Sequence, residues 1–164
     1  MISVALISVY CLQIGGCSGL PTALPGVQIG EPDASYANSD TDQLRLKVLH
    51  VAKEMLGLPY HYGGATPEGF DCSGLVFYSY SKIGVKVPRT TLEQYRQTKA
   101  VSAQELMPGD LVFFRLNGRD ISHVGIYQGD HKFIHAPVSG KQISSDSLHN
   151  RFWRERFVRG GRFI

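Results

Sequence analysis

At 164 residues the chain has room for one domain of ordinary size and some extra length. With 43% hydrophobic and 19% charged residues, most of it can bury a real core. The formal net charge of +3 suits an anionic partner only weakly and is no indication of nucleic acid.

The opening stretch from Met1 to Leu12 is apolar and carries no charge. A bilayer-spanning helix needs roughly 20 apolar residues, so a secretory leader is the better reading. The stretch runs into Ile14, Gly15, Gly16 and Cys17, where small residues let a signal peptidase reach the backbone and the thiol can then take a lipid. This resembles the bacterial lipoprotein signal, with residues 1–16 as signal peptide and Cys17 as the lipidated first residue of the mature chain. No lysine or arginine precedes Arg45, so the basic opening usual in such leaders is missing from this sequence. The bland alternative is a short apolar N-terminal strand or helix. On the export reading Cys11 is removed and Cys17 is acylated. Cys72 is then the only thiol of the folded domain, either a buried spectator or a reactive group.

Residues 18–39 carry Pro21, Pro25 and Pro32 without a sustained period and read as a flexible tether, so that the domain spans residues 40–164. Leu44, Val48, Val51, Ala52 and Met55 then recur at helical spacing, with Thr41 as a cap and Gly57 as the stop. The stretch from Leu58 to Phe70 is rich in glycine and proline and reads as a loop. A second helix starts near Cys72 and ends at Gly84, and a Thr90…Glu93 capping box opens a short third one. After the turn at Met107–Asp110 the pattern changes to short strands: "DLVFFRL", "SHVGIYQ", "HKFIHAP", "KQISSD" and "RFVRGGRFI". Helices first and strands after predict an α+β fold with an antiparallel sheet packed on a helical layer. The last fourteen residues hold five arginines against one glutamate, which reads as the solvated face of the last strand; the functional alternative is a rim attracting carboxylates.

A thiol becomes a good nucleophile as a thiolate, and a helix N-terminus favours that charge. Cys72 stands at such a position, between Gly69 and Gly74, which permit a tight entry and close approach of a substrate backbone. A cysteine nucleophile also needs a histidine, and the histidine an orienting group. Of His50, His61, His123, His131, His135 and His149, the first falls within a helix and the last in a polar turn. His123 starts one strand and His135 ends the next, so a hairpin through "QGD" brings them together. His131 lies near the turn, away from that end. A zinc site of Cys72, His123 and His135 is disfavoured, because no short-spaced ligand pair supports it. No metal and no cofactor is expected.

The motifs "LPYHYGG", "FDCSGLV", "PGDLVFF", "SHVGIY" and "FIHAP", in this order and spacing, resemble the NlpC family of bacterial cell-wall cysteine peptidases. The likeness runs from about Leu44 to the C-terminus. It implies a reduced papain-like fold, in which a helix carrying the nucleophile packs on a small antiparallel sheet carrying the histidines. By motif match Cys72 is the nucleophile, His123 the base and His135 the orienting residue. Being uncharged, His135 would orient His123 more than it stabilises the imidazolium. Tyr60 matches a residue that helps hold the oxyanion, and Asp71 and Ser73 match positions lining the substrate pocket, although Asp71 could equally cap the helix. The resemblance implies hydrolysis of peptidoglycan stem peptides, most like Spr-type lipoprotein endopeptidases that cut the D-alanyl–diaminopimelate crosslink. The alternatives are cleavage between γ-D-glutamyl and diaminopimelate, a transferase, or a non-catalytic wall-binding lipoprotein. The expected protein is a monomer, held by Cys17 on the periplasmic side of the outer membrane, with no nucleic-acid partner.

Overall fold

The structure, a computed structural model, describes residues 34–164 and, from residue 40, their side chains. The leader, Cys17 and most of the expected tether lie outside the described residues. The chain runs through α1 (Ala34–Glu54), β1 (Ala65–Thr66), β2 (Gly69–Phe70), α2 (Cys72–Ser81), α3 (Thr91–Gln97) and β3 (Lys99–Val101). After a single 3-10 turn at Ala103–Glu105 come β4 (Leu111–Phe114), β5 (His123–Gly129), β6 (Lys132–His135), β7 (Ser144–Ser147), α4 (Arg151–Arg154) and β8 (Phe157–Arg162). Among the described residues no helix is long and apolar enough to cross a membrane.

α1 begins at Ala34, so Thr41 is an interior residue and not the cap that spacing predicts. Between Pro32 and Thr41 there is neither proline nor glycine to stop a helix from extending back. Its other end agrees with expectation: Gly57 takes φ +84°, and its N–H donates to the Ile143 carbonyl at 2.9 Å. α2 ends in the same way, through Gly84 at φ +78°.

Six strands form one antiparallel sheet in the order β3-β8-β4-β5-β6-β7, and β1 pairs with β2 in a small hairpin within the stretch expected to be a loop. In β4, Leu111, Val112, Phe113 and Phe114 are all buried, because both faces of the sheet are covered. Leu111 and Phe113 join Val48, Ala52, Leu75 and Val76 in the core under α1 and α2. Val112 and Phe114 pack on the other side with Phe133 and Trp153. Tyr80 of α2 is almost fully buried and donates its hydroxyl to the Gly109 carbonyl at 3.0 Å, fixing the helix to the turn ahead of β4.

The basic C-terminal run is not one solvated face. β8 lies inside the sheet, between β3 and β4. Arg162 donates to both oxygens of the buried Asp110 carboxylate at 2.7 and 2.6 Å, and Arg159 lies 4.0 Å over the Tyr95 ring. A carboxylate rim built from these two is excluded, since internal partners take them. The Arg151–Glu155 pair, at 2.7 Å, is of the surface kind. Arg162→Ala is therefore expected to lower unfolding free energy by about 3–5 kcal/mol, by stranding a buried charge. Arg151→Ala should change it by less than about 1 kcal/mol. Urea denaturation of the two variants measures the contrast.

Candidate active site

Asp71 organises the first half of the site. As N-cap of α2 it has extended backbone, and its Oδ1 accepts from the Gly74 N–H at 2.6 Å. Arg89 grips the same carboxylate with two bonds, Nη1 to Oδ1 at 2.9 Å and Nη2 to Oδ2 at 2.8 Å. The remaining Arg89 contacts are the Gly64 carbonyl at 3.1 Å and Ser73 Oγ at 3.0 Å, while the Gly63 N–H donates to Asp71 Oδ2 at 3.0 Å. Burial acts to raise the Asp71 carboxyl, but Arg89, the Gly74 amide and Ser73 outweigh it and hold it below its ordinary value. Asp71 is therefore a cap and an ion-pair partner. Ser73 is buried between the two and belongs to the same network.

Gly74 is required here for a reason other than substrate approach. A Cβ at this position would lie 1.9 Å from the Gly64 carbonyl oxygen, so the neighbour that comes close is the chain's own loop. The third helix supports the same region. Thr90 caps it and accepts from the Glu93 N–H, half of the expected capping box, while the Glu93 carboxylate accepts from the Thr90 hydroxyl instead of its backbone N–H. The fully buried Gln94 donates to the carbonyls of Ser73 and Pro88 at 3.0 and 2.8 Å.

Cys72, the first residue of α2, is partly exposed in an open cleft of about 500 Å³ lined also by Tyr60, Asp71, Ser73, Arg89, Thr91 and Ser122, so Asp71 and Ser73 do face the expected pocket. Its sulfur lies 3.5 Å from Thr91 Oγ1, and its side-chain hydrogen bond is to that hydroxyl rather than to an imidazole. Desolvation is the largest influence on the thiol and pushes it up. Thr91 opposes this, the Asp71 charge adds to it, and backbone amides of Val124 and Ser73 favour the thiolate without reversing the balance. α2, which begins at Cys72, packs against β5, the strand that begins at His123. Tyr60 is fixed by its N–H to the Lys141 carbonyl at 2.9 Å. Burial, then the neighbouring Cys72 and Asp71, raise its phenol, which keeps it a hydrogen-bond donor.

The second half of the site is a pair of imidazoles. His123 Nε2 and His135 Nδ1 are 2.8 Å apart, and both rings are buried. β5 and β6 pair antiparallel with a bulge near the turn, which brings the start of one beside the end of the other. Trp153 of α4 stacks on His123, with ring centroids 5.4 Å apart and planes at 27°, and stands edge-on to His135 at 4.8 Å. Burial, assisted by His135, pushes His123 down to about 3. Burial lowers His135 as well, against an opposing pull from Asp146, whose Oδ2 lies 3.0 Å from His135 Nε2. The other histidines stand apart: His50 pairs with Glu54 on α1, and the rings of His131 and His149 face each other at 4.2 Å. Among the described residues no group of three or more histidine, cysteine or acidic side chains is arranged to hold a metal ion.

Arg89, Thr91, Asp146 and Trp153 were not legible as site residues. Each acts across the fold, Arg89 on a residue 18 positions earlier and Asp146 on one 11 positions earlier. For Asp146 a signal did exist: counting register from His135 into the following strand puts an acid within one step of it.

A helix-borne cysteine set against a sheet with paired histidines defines a papain-like α+β domain. The chain belongs to the NlpC/P60 family, whose model matches residues 57–162. It is 44% identical over 110 residues to the murein DD-endopeptidase MepH of Escherichia coli, covering 64% of this chain and 41% of that one. It is 47% identical over 118 residues to the bifunctional muramidase/DL-endopeptidase CwlT of Bacillus subtilis, covering 68% and 35%. The chain thus spans less than half the length of these two curated relatives. An NlpC/P60 family protein from Bacillus cereus superposes with a TM-score of 0.68 at 32% identity, covering 72% of this chain and 39% of that one.

Histidines held neutral by burial make stability depend on pH. The unfolded chain protonates His123 below its ordinary value of 6.5, whereas the folded one resists until about 3. Stability should therefore fall as pH drops through that window, by up to ~1.4 kcal/mol per pH unit for one such group. His123→Phe, unfolded with urea at pH 7 and pH 4.5, is expected to lose less stability on acidification than the parent. An equal loss in both would remove His123 as a cause.

Proposed function

We propose that the domain is a peptidoglycan endopeptidase that cuts stem-peptide bonds through Cys72, His123 and His135. The observation that carries this reading is the placement of a partly exposed thiol, the only one among the described residues, at a helix N-terminus in an open cleft, beside the strand of a buried histidine pair. Membership of the NlpC/P60 family and the names of its relatives MepH and CwlT support the substrate class.

In this mechanism Cys72 attacks the scissile carbonyl as its proton passes to His123. A raised thiol and a depressed imidazole disfavour a resting ion pair, so proton transfer accompanies attack. The carbonyl carbon gains the sulfur, and the oxyanion is held by the Tyr60 hydroxyl and the Cys72 N–H, a first-turn amide with no helical acceptor. Imidazolium His123 then protonates the leaving amine as the C–N bond breaks. Water, deprotonated by His123, cleaves the thioester and restores the thiol.

For the bond, we propose the D-alanyl–diaminopimelate crosslink, the reading that MepH's name favours. CwlT's name, a DL-endopeptidase, favours a different cut, and the alternative we retain is the γ-D-glutamyl–diaminopimelate bond. We further propose that Cys17 carries a lipid that holds the protein on the periplasmic face of the outer membrane, on the strength of the apolar leader alone, and that it acts as a monomer.

Digestion of purified peptidoglycan by residues 34–164 and by the Cys72→Ala variant, with products read by mass, tests the proposal. Conversion of crosslinked dimers to monomers by the parent and not the variant is expected. Dipeptide release would move the cut to the γ-glutamyl bond, and no change with the parent would overturn the enzyme reading.

A further inference from the structure

The histidine pair does not end the polar chain of the site. Asp146 opposes Phe133 across β6 and β7, and His135 opposes Ser144, so Asp146 lies on the same face as His135 and diagonal to it. Its Oδ2 is 3.0 Å from His135 Nε2, and His135 Nδ1 is 2.8 Å from His123 Nε2. The order of the contacts decides where each proton sits. A carboxylate only accepts hydrogen bonds, so His135 Nε2 must carry the proton and donate. Neutral His135 then has a lone pair on Nδ1, which requires His123 Nε2 to be the donor across the 2.8 Å contact. Neutral His123 in turn has its lone pair on Nδ1, the nitrogen left free to act as base.

We propose that Asp146 is a positioning residue that sets the tautomers of both His135 and His123, and so selects Nδ1 of His123 as the base. Without it, neutral His135 is free to carry its proton on Nδ1, which would make His123 Nε2 the acceptor and put the His123 proton on the nitrogen that must take one from Cys72. Asp146 also supplies the negative charge that His135 lacks. When His123 becomes imidazolium, the Nε2 proton it shares with His135 is stabilised by a chain that ends in a carboxylate. Phe133 and Trp153 exclude water from the rings, with centroids 5.0 and 4.8 Å from His135, so the charge acts in a setting where it is little screened. Asp146 itself is about 40% exposed, on the last strand of the sheet, which leaves it replaceable without opening the core.

This inference rests on the cysteine-peptidase reading, and its test separates the two. Asp146→Leu and Asp146→Asn are compared with the parent by nitrogen NMR of ¹⁵N-labelled histidine at neutral pH, and by kcat and KM on a soluble crosslinked stem-peptide dimer. In the leucine variant, kcat is expected to fall ~10–100-fold, the scale known for carboxylates behind metal-bound histidines, with KM nearly unchanged. The His123 and His135 signals should change from one tautomer to a mixture. Asparagine fills the same space without the charge or the acceptor-only constraint, so kcat falls in that variant too, whereas a merely space-filling Asp146 would leave it at the parental value. Parental kcat in the asparagine variant, or parental tautomer signals in the leucine variant, overturns the proposal. Should the parent cleave no substrate, the peptidase reading fails, and the nitrogen spectra alone still decide the tautomer assignment.

Discussion

The site depends first on the bidentate contact between Arg89 and Asp71. Asp71 alone would be a helix cap worth about 1 kcal/mol. Paired with Arg89 it joins three separate stretches of chain: the Tyr60–Gly64 loop, the start of α2, and the segment leading into α3. Cys72 follows Asp71 directly, so whatever holds the cap holds the thiol. The 1.9 Å approach of an added Gly74 Cβ to the Gly64 carbonyl shows how closely loop and helix meet there. The charge balance matters as well. An unpaired Asp71 beside the sulfur would oppose a thiolate, and Arg89 keeps that carboxylate neutralised without taking its place as a cap.

The other half of the site depends on burial. His123 and His135 are walled in by Trp153, Phe133 and Phe114, and this aromatic surrounding accounts for their depressed basicity. Such an environment disfavours a resting imidazolium and favours a base that is free when substrate arrives. The same wall makes the identity of each ring nitrogen a matter of protein contacts rather than of solvent. The two halves meet at β5, which packs against α2 and whose first residue, His123, belongs to the histidine pair.

Much of this was legible from local pattern. The α+β order, the helix starting at Cys72, the Thr90 cap and the approach of His123 to His135 all follow from periodicity, capping chemistry and the short turn between two strands. The start of α1 was misplaced because Thr41 has the chemistry of a cap, but nothing before it prevents a helix. Arg159 and Arg162 were misjudged for a related reason, while Arg151 and Arg154 are exposed as expected: charge reads as solvent exposure unless an inner partner such as Asp110 is known to wait for it. Arg89, Asp146 and Trp153 escaped notice because their roles exist only once distant strands and loops are in place. Asp71 and Ser73, ambiguous as residues, do both: they line the Cys72 cleft and belong to the Arg89 network at the helix start.

The central claim, that Cys72 is the nucleophile of a stem-peptide site, is tested most directly by trapping. A stem peptide carrying a diazomethyl ketone in place of the scissile carbonyl offers the thiol an electrophile at the reacting position. Incubation with residues 34–164 followed by peptide mapping should find one adduct, on Cys72, and none when Cys72 is replaced by alanine. Inactivation without an adduct on Cys72, or an adduct on another residue, would contradict the account.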